Sequence, residues 1–441
     1  MRRLGPIAQT ALVFALLLAA YLSLGLAAYI VPDWRVREHV HKTLYIGDLL
    51  SDYPKAIVFE DLNIQDSYTL DNFTDALIVN QALMLRSSGL QGIMLLPRYQ
   101  LANENQSANL AALLSIPPDE GGHTPHITEV RNEQGGRAVY YGRYWHGSTF
   151  VTRLLLTVMT FIDIRLLLYV LSSLLLLWCC AALWKHVGRS VALVVPFSLL
   201  MVNVFVLQFS MQFAPVLLIA LVAMLWMVYH REMTAQQCGL LFFIVGSLTT
   251  FFDLITVPSL TLGLPLVVWV AIQRQQDWRK GLWMVVSLAL WWLVGYVLTW
   301  LAKWGLASLL TDKNIFVDAY GEASRWNRNS GSYIFEAMGT CLARLRWIYI
   351  VIPAVVLLVL AILRPRKGAW SVAMQYAVVL LVPFVYYCLM ARPAWYHSWF
   401  NYRALVTAVA ALLMALASFV DWQRWGKLIE KLWTSRRNVL K

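Results

Sequence analysis

The sequence predicts an all-α polytopic membrane protein with about ten transmembrane helices and one large loop outside the membrane. Of its 441 residues, 59% are hydrophobic and 14% are charged, which is more apolar and less charged than an ordinary soluble domain. Long apolar stretches recur, and several approach the roughly 20 residues that cross a bilayer as a helix. Because lipid offers the backbone no hydrogen-bond partners, such stretches must be helical.

The first apolar stretch, from about Ile7 to Val31, comes after Arg2 and Arg3, as in a signal peptide or a membrane anchor. It is longer than the apolar part of a typical signal peptide. The Pro-Asp-Trp sequence directly after it lacks the small residues of a cleavage site. We therefore predict a retained transmembrane anchor over residues 1–32.

Positively charged residues are concentrated in short segments between the apolar stretches. The net charge of +12 favours a nucleic-acid partner only if the charge is gathered on one soluble face. Instead, 17 of the 36 Lys and Arg residues fall where alternation of the spans puts them on one side. This positive-inside pattern predicts a plasma or inner membrane protein with both termini in the cytoplasm and no nucleic-acid partner. The predicted spans lie near residues 8–31, 164–184, 191–207, 215–230, 237–254, 256–273, 281–302, 346–363, 370–390 and 404–421.

This topology divides the chain into four parts. Residues 1–32 form the anchor, and residues 33–163 form an extracytoplasmic loop with amphipathic or interfacial helices. One interfacial helix is predicted over residues 149–162. Residues 164–421 form the multi-span domain, and residues 422–441 form a basic amphipathic tail on the cytoplasmic membrane surface. The outer segment 33–150 carries 14 of the 24 acidic residues, which makes it the first place to look for chemistry.

Asp71 and Asp75 lie at the head of a predicted amphipathic helix over residues 71–88. Carboxylates four residues apart share one face of a helix. Such a pair could raise one pKa for general-base catalysis, or hold a divalent cation such as Mg²⁺ or Mn²⁺. The structural alternative is that Asp71 is the helix N-cap and that both acids interact favourably with the helix dipole. Both interpretations stay open, and the metal requirement is unknown.

Two further motifs place polar residues at the predicted outer ends of spans. Arg143 and His146, in YGRYWHG, suit a lipid phosphate, although the aromatic residues around them are typical of interfacial anchors. His397 and Arg403, in HSWFNYR, enter the last span from outside, against the usual charge bias. The alternative is a snorkelling Arg among interfacial aromatic residues. Arg325 is a weaker candidate for contact with a phosphate.

Two acids lie in or beside apolar stretches. Asp253 is costly to bury in a membrane, so it is a candidate substrate-binding residue that could pair with an Arg of another span. For Asp163 we expect a structural ion pair with Arg165 or Arg153 rather than a role in a site.

In layout and in these motifs the sequence resembles the GT-C type membrane glycosyltransferases, and is most similar to poorly characterised bacterial members. The similarity lies in one N-terminal span, a long acidic outer loop and many later spans, and in YGRYWHG, FFDLITVPSLTLGLPL and HSWFNYR. It covers most of the chain. About 40 residues separate the first span from Asp71, more than in many members, so Asp71, Asp75 and Asp48 all stay open as the catalytic base.

The resemblance implies an enzyme that transfers a sugar from a polyprenyl-phosphate donor to an extracytoplasmic glycan, lipid or protein acceptor. Asp71 would accept the proton of the acceptor, and Asp75 would orient that base or help to hold a metal. Arg143, Arg403 or Arg325 would stabilise the departing phosphate, and the spans would bind the lipid tail. The alternatives are a transporter or flippase of lipid-linked substrates, which predicts paired interrupted helices, and a polysaccharide ligase or polymerase of another fold. The sequence contains no nucleotide-binding fingerprint.

Overall fold

The computed structural model describes residues 5–54, 69–101, 105–118 and 136–439, and within these ranges the chain is mostly helical. The N-terminal part contains one long helix, five shorter helices and a two-stranded antiparallel sheet. These elements are α1 (Pro6–Ile30), α2 (Asp33–Tyr45), α3 (Asn72–Met84), α4 (Gly92–Leu95), β1 (Pro97–Gln100), α5 (Gln106–Ser115), β2 (Arg137–Tyr140) and α6 (Gly147–Leu155).

The remainder of the chain forms a bundle of apolar helices and the shorter helices that join them. These are α7 (Phe161–His186), α8 (Arg189–Met201), α9 (Val204–Phe209), α10 (Ala214–Tyr229), α11 (Ala235–Phe252), α12 (Pro258–Gln273), α13 (Trp278–Leu310), α14 (Ile315–Asn327), α15 (Ile334–Ala343), α16 (Trp347–Leu363), α17 (Ala369–Leu380), α18 (Val382–Leu389), α19 (Ala391–Tyr396), α20 (Ser398–Asn401), α21 (Val406–Ser418) and α22 (Trp422–Val439). Short 3-10 helices lie at Gly89–Gln91, Ser330–Tyr333 and Tyr402–Leu405.

Six helices of the described chain are long and apolar enough to cross a membrane, and a seventh span forms if the bent pair Ser330–Ala343 and Trp347–Leu363 counts as one. Three shorter apolar helices, α8, α10 and α12, accompany them. The chain is therefore a multi-pass, largely helical membrane protein, as the composition predicted. Eight of the ten predicted segments largely coincide with one helix each, and the segment 370–390 is divided into α17 and α18. The segment 191–207 is divided into α8 and α9, because Asn203 between them adopts a left-handed conformation.

The apolar helices end at two opposite ends of the bundle, and the basic segments lie at one of these ends. Arg231 donates from Nη1 to the carbonyl of His186 at 2.7 Å, and Arg274 donates from Nη2 to the carbonyl of Val187 at 3.1 Å. Further contacts at this end join Gln236 to Gln9, Gln375 to Gln275 and Pro365 to Val420. At the opposite end, residues of the first loop pack on the starts of α7, α10 and α20.

Helix α3 is buried on all sides, although an amphipathic helix over residues 71–88 was predicted. It is shorter than that, and packs against α2, α5, α6 and β1. Asn80 hydrogen-bonds through its side chain to both backbone groups of Tyr99, at 2.9 Å each, which fixes β1 against α3. The predicted interfacial helix over residues 149–162 is also different. Helix α6 ends at Leu155 and packs on α1 and α3.

Glycine allows the two closest helices, α11 and α13, to touch through their backbones. A Cβ on Gly246 would lie 2.0 Å from the carbonyl oxygen of Trp292, and one on Gly295 would lie 2.1 Å from that of Phe243. Small residues at helix contacts are a common means of association in membranes, where van der Waals packing replaces the hydrophobic effect. The packing of α11 on α13 therefore depends on these two residues.

Replacing Gly295 by Ala is expected to lower the free energy of unfolding in mixed micelles by about 1–3 kcal/mol, because the helices must separate. Gly305→Ala is the matched control on the same helix, since nothing lies within 4 Å of a Cβ at that position. It should leave stability unchanged or slightly raised, because Ala favours a helix more than Gly. Equal losses for the two variants would contradict this account of the helix contact.

Candidate functional site

The first predicted acid, Asp71, is the N-cap of α3 and is buried, with 3% of its surface exposed. Its Oδ1 accepts a hydrogen bond from the backbone N–H of Thr74 at 3.1 Å, and its Oδ2 accepts one from the hydroxyl of Thr74 at 2.8 Å. The prediction of a helix cap is thus confirmed. A cap exposed to water needs no further explanation, but this carboxylate is removed from water, which costs free energy.

The second predicted acid, Asp75, lies one turn further along α3 and pairs with Arg165. Its Oδ2 accepts a hydrogen bond from Nη2 of Arg165 at 2.9 Å, and its Oδ1 accepts one from the hydroxyl of Ser210 at 3.3 Å. Arg165 also contacts Oδ1 of Asp48 at 2.6 Å and the side-chain oxygen of Asn72. Of the three acids that were open as the base, Asp48 and Asp75 therefore share one buried guanidinium.

The expected ion pair of Asp163 is absent from the described residues. Oδ2 of Asp163 accepts hydrogen bonds from the backbone and hydroxyl of Thr160, and so caps α7. Arg153 pairs instead with Asp33, and donates from Nε to the carbonyl of Ala28 at 2.7 Å. Residues two apart on a helix, such as Asp163 and Arg165, point to different faces, so they do not meet.

Asp71 and Asp75 have higher pKa values than ordinary carboxylates, because both are buried. The pKa of Asp71 is raised to about 7, chiefly by removal from water and also by the nearby Asp75, although the hydrogen bonds from Thr74 and the charge of Arg403 lower it. Burial also raises the pKa of Asp75 to about 6, although Arg165 lowers it. Asp71 therefore gains and loses a proton near neutral pH, as a general base must.

One arginine, Arg403, acts on Asp71, and a second, Arg344, acts on Arg403. Arg403, in the 3-10 helix that precedes α21, is fully buried, and its charge acts on Asp71. Its guanidinium lies 5.2 Å from the ring centre of Phe213. Arg344 acts electrostatically on Arg403, and its Nε donates to the hydroxyl of Ser398 at 3.3 Å. The site therefore combines one carboxylate that titrates near pH 7 with two guanidinium groups.

Aromatic side chains border this site on its outer side. The ring of Tyr53 stacks on Phe73 with centres 6.0 Å apart, and meets the edge of Trp399 at 5.6 Å. Burial and the nearby charge of Asp71 raise the pKa of Tyr53. Half of the surface of Tyr53 is exposed, so solvent-accessible surface begins directly beside the buried carboxylate. Tyr53 and Arg344 were not predicted from the sequence as parts of the site, and Arg165 was expected only in an ion pair with Asp163.

One signal for Arg344 was available. It stands at the outer end of the predicted span 346–363, against the positive-inside bias, and the same anomaly drew attention to Arg403. His397, from the same motif as Arg403, does not add to the positive charge, because burial lowers its pKa to about 4. Its ring stacks on Phe400 and lies 6.0 Å from Trp326.

Asp253 forms a turn rather than an ion pair with an Arg of another span. Both its carboxylate oxygens accept from the backbone N–H of Thr256, at 3.1 Å each, in the turn between α11 and α12. Tyr386 connects this turn to the HSWFNYR motif, because its hydroxyl bonds to the carbonyl of Thr256 at 3.2 Å and to Oδ1 of Asn401 at 2.7 Å. Asp253 thus helps to fix the turn between α11 and α12, which Tyr386 connects to the motif that contains Arg403.

The remaining predicted residues form a second cluster that does not include Asp71. Arg143 contacts Asp318 at 3.2 Å and Glu322 at 3.8 Å, both on α14. Glu322 also pairs with Arg325, whose side chain is mostly exposed. His146 is fully buried behind Arg143. Of the three arginines expected to bind the phosphate, the structure brings only Arg403 to Asp71.

Within the described residues, no group of three or more His, Cys, Asp and Glu side chains has the arrangement of a metal site. Comparison of the chain with protein-family models, with curated proteins and with solved structures found no match. The function is therefore inferred from the geometry and charge of the two clusters, together with the resemblance of the sequence motifs.

Proposed function

We propose that this chain is a GT-C type membrane glycosyltransferase that moves a sugar from a polyprenyl-phosphate donor to an acceptor outside the membrane. The observation that carries the proposal is the buried Asp71, whose pKa of about 7 suits proton transfer and is lowered by the charge of Arg403. Arg344 in turn acts on Arg403, and two guanidinium groups close together suit a phosphate. The resemblance of the sequence supplies the reaction class. The acceptor is a cell-envelope glycan, lipid or protein.

The proposal includes ten membrane crossings with both termini in the cytoplasm. The six helices of spanning length, the bent pair at α15 and α16, and the three shorter apolar helices together supply that number. The basic helix ends would lie at the cytoplasmic surface, as the positive-inside rule requires. The Asp71 site then lies at the outer surface, where the sugar of a lipid-phosphate donor projects from the membrane.

In the proposed reaction, the acceptor hydroxyl oxygen attacks the anomeric carbon and forms the new glycosidic bond. The bond between that carbon and the phosphate oxygen breaks, and the proton of the hydroxyl passes to Asp71. The departing polyprenyl phosphate gains negative charge, which Arg403 and Arg344 stabilise. A nearly dry site strengthens these interactions relative to water. The lipid tail of the donor lies against the exposed apolar faces of the spans.

Asp71 is a better base than Asp75 or Asp48 for a structural reason. Both of the latter are paired with Arg165, which holds them in place and competes with a proton. Asp71 has no ion pair with Arg165 and accepts hydrogen bonds only from Thr74 among the interactions described. Asp75 and Arg165 are therefore positioning residues, which hold the first turn of α3 against the start of α7.

The test is an assay of donor cleavage in proteoliposomes. Radiolabelled polyprenyl-phosphate hexoses and pentoses would be incubated with the protein and short glycan, lipid or peptide acceptors, and the products separated by chromatography. The proposal expects one donor to yield free polyprenyl phosphate and a labelled acceptor. If the protein instead moves an intact donor between leaflets without cleaving it, the chain is a carrier and the proposal is wrong.

A further inference from the structure

Helix α14 lies across the second cluster and is held there by few contacts. Near its start, Phe316 meets the edge of Trp304 with ring centres 5.8 Å apart, and Asp318 and Glu322 contact Arg143. At its other end, Trp326 packs against Tyr396 and His397. Its buried residues are Ile315 and Ala319, whereas Val317 and Tyr320 are largely exposed. Ile315 belongs to the core cluster that includes Leu95 and Ala307, so the start of the helix is anchored there. The side chains that face Arg143 lie on the surface of the cluster.

Several basic side chains lie beneath α14. Lys303, at the outer part of α13, is fully buried; its Nζ donates to the carbonyl of Met94 at 2.9 Å and lies 5.3 Å from the ring of Trp145. Burial, Lys303, Arg143 and Arg98 hold the pKa of His146 well below its usual range. No carboxylate of the described residues hydrogen-bonds to the ring of His146.

The two acids of α14 are thus the only described carboxylates that pair with Arg143, and they do so from the exposed side. The ring of Tyr141 lies 4.4 Å from the guanidinium carbon of Arg143 and supports its flat face. This leaves the N–H edge directed at the two carboxylates. An Arg fork presented edge-on, with further positive charge behind it, is an arrangement that binds phosphate oxygens.

We propose that Arg143 is the centre of a second anion site, which takes the phosphate group of a lipid or of a soluble compound, and that Asp318 and Glu322 occupy it in this structure. A phosphate would replace the two carboxylates at Arg143, and the charge of Arg98, whose guanidinium carbon lies 5.1 Å from the centre of the same Tyr141 ring, would favour it over a neutral ligand. The part of α14 that carries Asp318 and Glu322 would then be released from Arg143. The inference does not depend on sugar transfer, because it concerns binding at a cluster separate from Asp71.

The release of α14 can be measured directly by hydrogen–deuterium exchange of the amides of residues 315–327. Pyrophosphate, or vesicles of phosphatidylcholine with about a tenth of phosphatidic acid, would be added to the purified protein at constant ionic strength. We expect faster exchange in α14 of the wild type, and no response in Arg143→Gln. A response to phosphatidic acid alone identifies a lipid headgroup as the ligand, and a response to pyrophosphate alone identifies a soluble phosphate.

Neutralising the acids of α14 gives an independent test. The double variant Asp318→Asn, Glu322→Gln should bind pyrophosphate about three- to tenfold more tightly than the wild type in calorimetry, since partly exposed ion pairs of modest strength no longer compete. Glu38→Gln is the matched control, because Glu38 also forms an exposed ion pair, with Lys42, outside the cluster. It should leave the affinity unchanged.

Two results would contradict the proposal of a second anion site. One is that the exchange of α14 responds neither to pyrophosphate nor to phosphatidic acid. The other is that the double variant binds pyrophosphate no more tightly than the wild type. Asp71→Asn separates this inference from the proposed enzyme. It should abolish most sugar transfer and leave the response of α14 intact, so either proposal can fail while the other stands.

Discussion

Replacing Asp71 by Asn is expected to lower the rate of sugar transfer about 10²- to 10⁴-fold, the usual contribution of a general base. Asn keeps the shape of the side chain and also caps helices well, so α3 should remain folded. The amide cannot accept the proton of the acceptor hydroxyl. The initial rate of donor cleavage in proteoliposomes measures the effect.

The matched control is Asp277→Asn. Asp277 is also a helix N-cap, accepting from the backbone N–H groups of Arg279 and Lys280 at the start of α13, at the end of the bundle that carries the basic segments. Its loss of charge should leave the rate unchanged. Full activity of Asp71→Asn beside an inactive Asp75→Asn would assign the base to Asp75 instead.

The same assignment predicts how the rate depends on pH. A base must be unprotonated to act, and burial raises the pKa of Asp71 to about 7. The rate should therefore be low at pH 5, rise through an apparent pKa near 7 and level off above pH 8. Asp71→Asn should lose this rise, whereas Asp277→Asn should retain it. A wild-type profile that is flat from pH 5 to 8 would exclude Asp71 as the base.

Much of the helical architecture could be predicted from the sequence, because the hydropathy of a segment is a local property. Every predicted apolar segment is helical, and the N-cap at Asp71 could be predicted from the residue type alone. The break at Asn203 was not predicted, since it depends on a left-handed backbone conformation that a non-glycine residue rarely adopts. The burial of α3 was missed for another reason: α2, α5, α6 and β1 cover its polar positions.

The site could be predicted only in part, because its partners are distant in the sequence. Arg165 is 117 residues from Asp48 and 90 from Asp75, so no local spacing relates them. The sequence instead predicted a pair between Arg165 and its neighbour Asp163. Arg143 and Arg403 were predicted to act together, since both stand at predicted outer ends of spans. Which helix ends adjoin is decided by the packing of the bundle, and the bundle places these two arginines in different clusters.

Arg165 has the largest expected effect on stability. Arg165→Met leaves the buried Asp75 and the half-buried Asp48 without their cation, and breaking a buried pair in this way typically costs about 3–5 kcal/mol. We expect a loss of this size in the free energy of unfolding at pH 8, measured in mixed micelles. The loss should exceed that of Arg424→Met, since Arg424 forms an exposed pair with Asp421.

The loss should become smaller as the pH falls. The pKa of Asp75 is about 6 in the folded protein, above the value of about 3.9 of an unfolded Asp, so folding favours the protonated acid. The penalty for burying its charge appears as the pH rises through the folded pKa. Without Arg165, which lowers the pKa values of both Asp48 and Asp75, these pKa values rise further. Both acids then take up protons on acidification, and most of the penalty of Arg165→Met should be gone at pH 5.

Neutralising Asp75 shows whether Arg165 stabilises the protein by its charge or by its packing. In the Arg165→Met background, Asp75→Asn removes one of the two uncompensated charges and should restore part of the stability at pH 8. In the wild type the same substitution should instead destabilise, because it removes a partner of Arg165. This reversal of sign is expected only if the guanidinium and the carboxylates act as one charged unit. Additive losses in the double variant would mean that Arg165 stabilises the start of α7 by packing on Phe161, 4.9 Å from its guanidinium carbon, rather than by its charge.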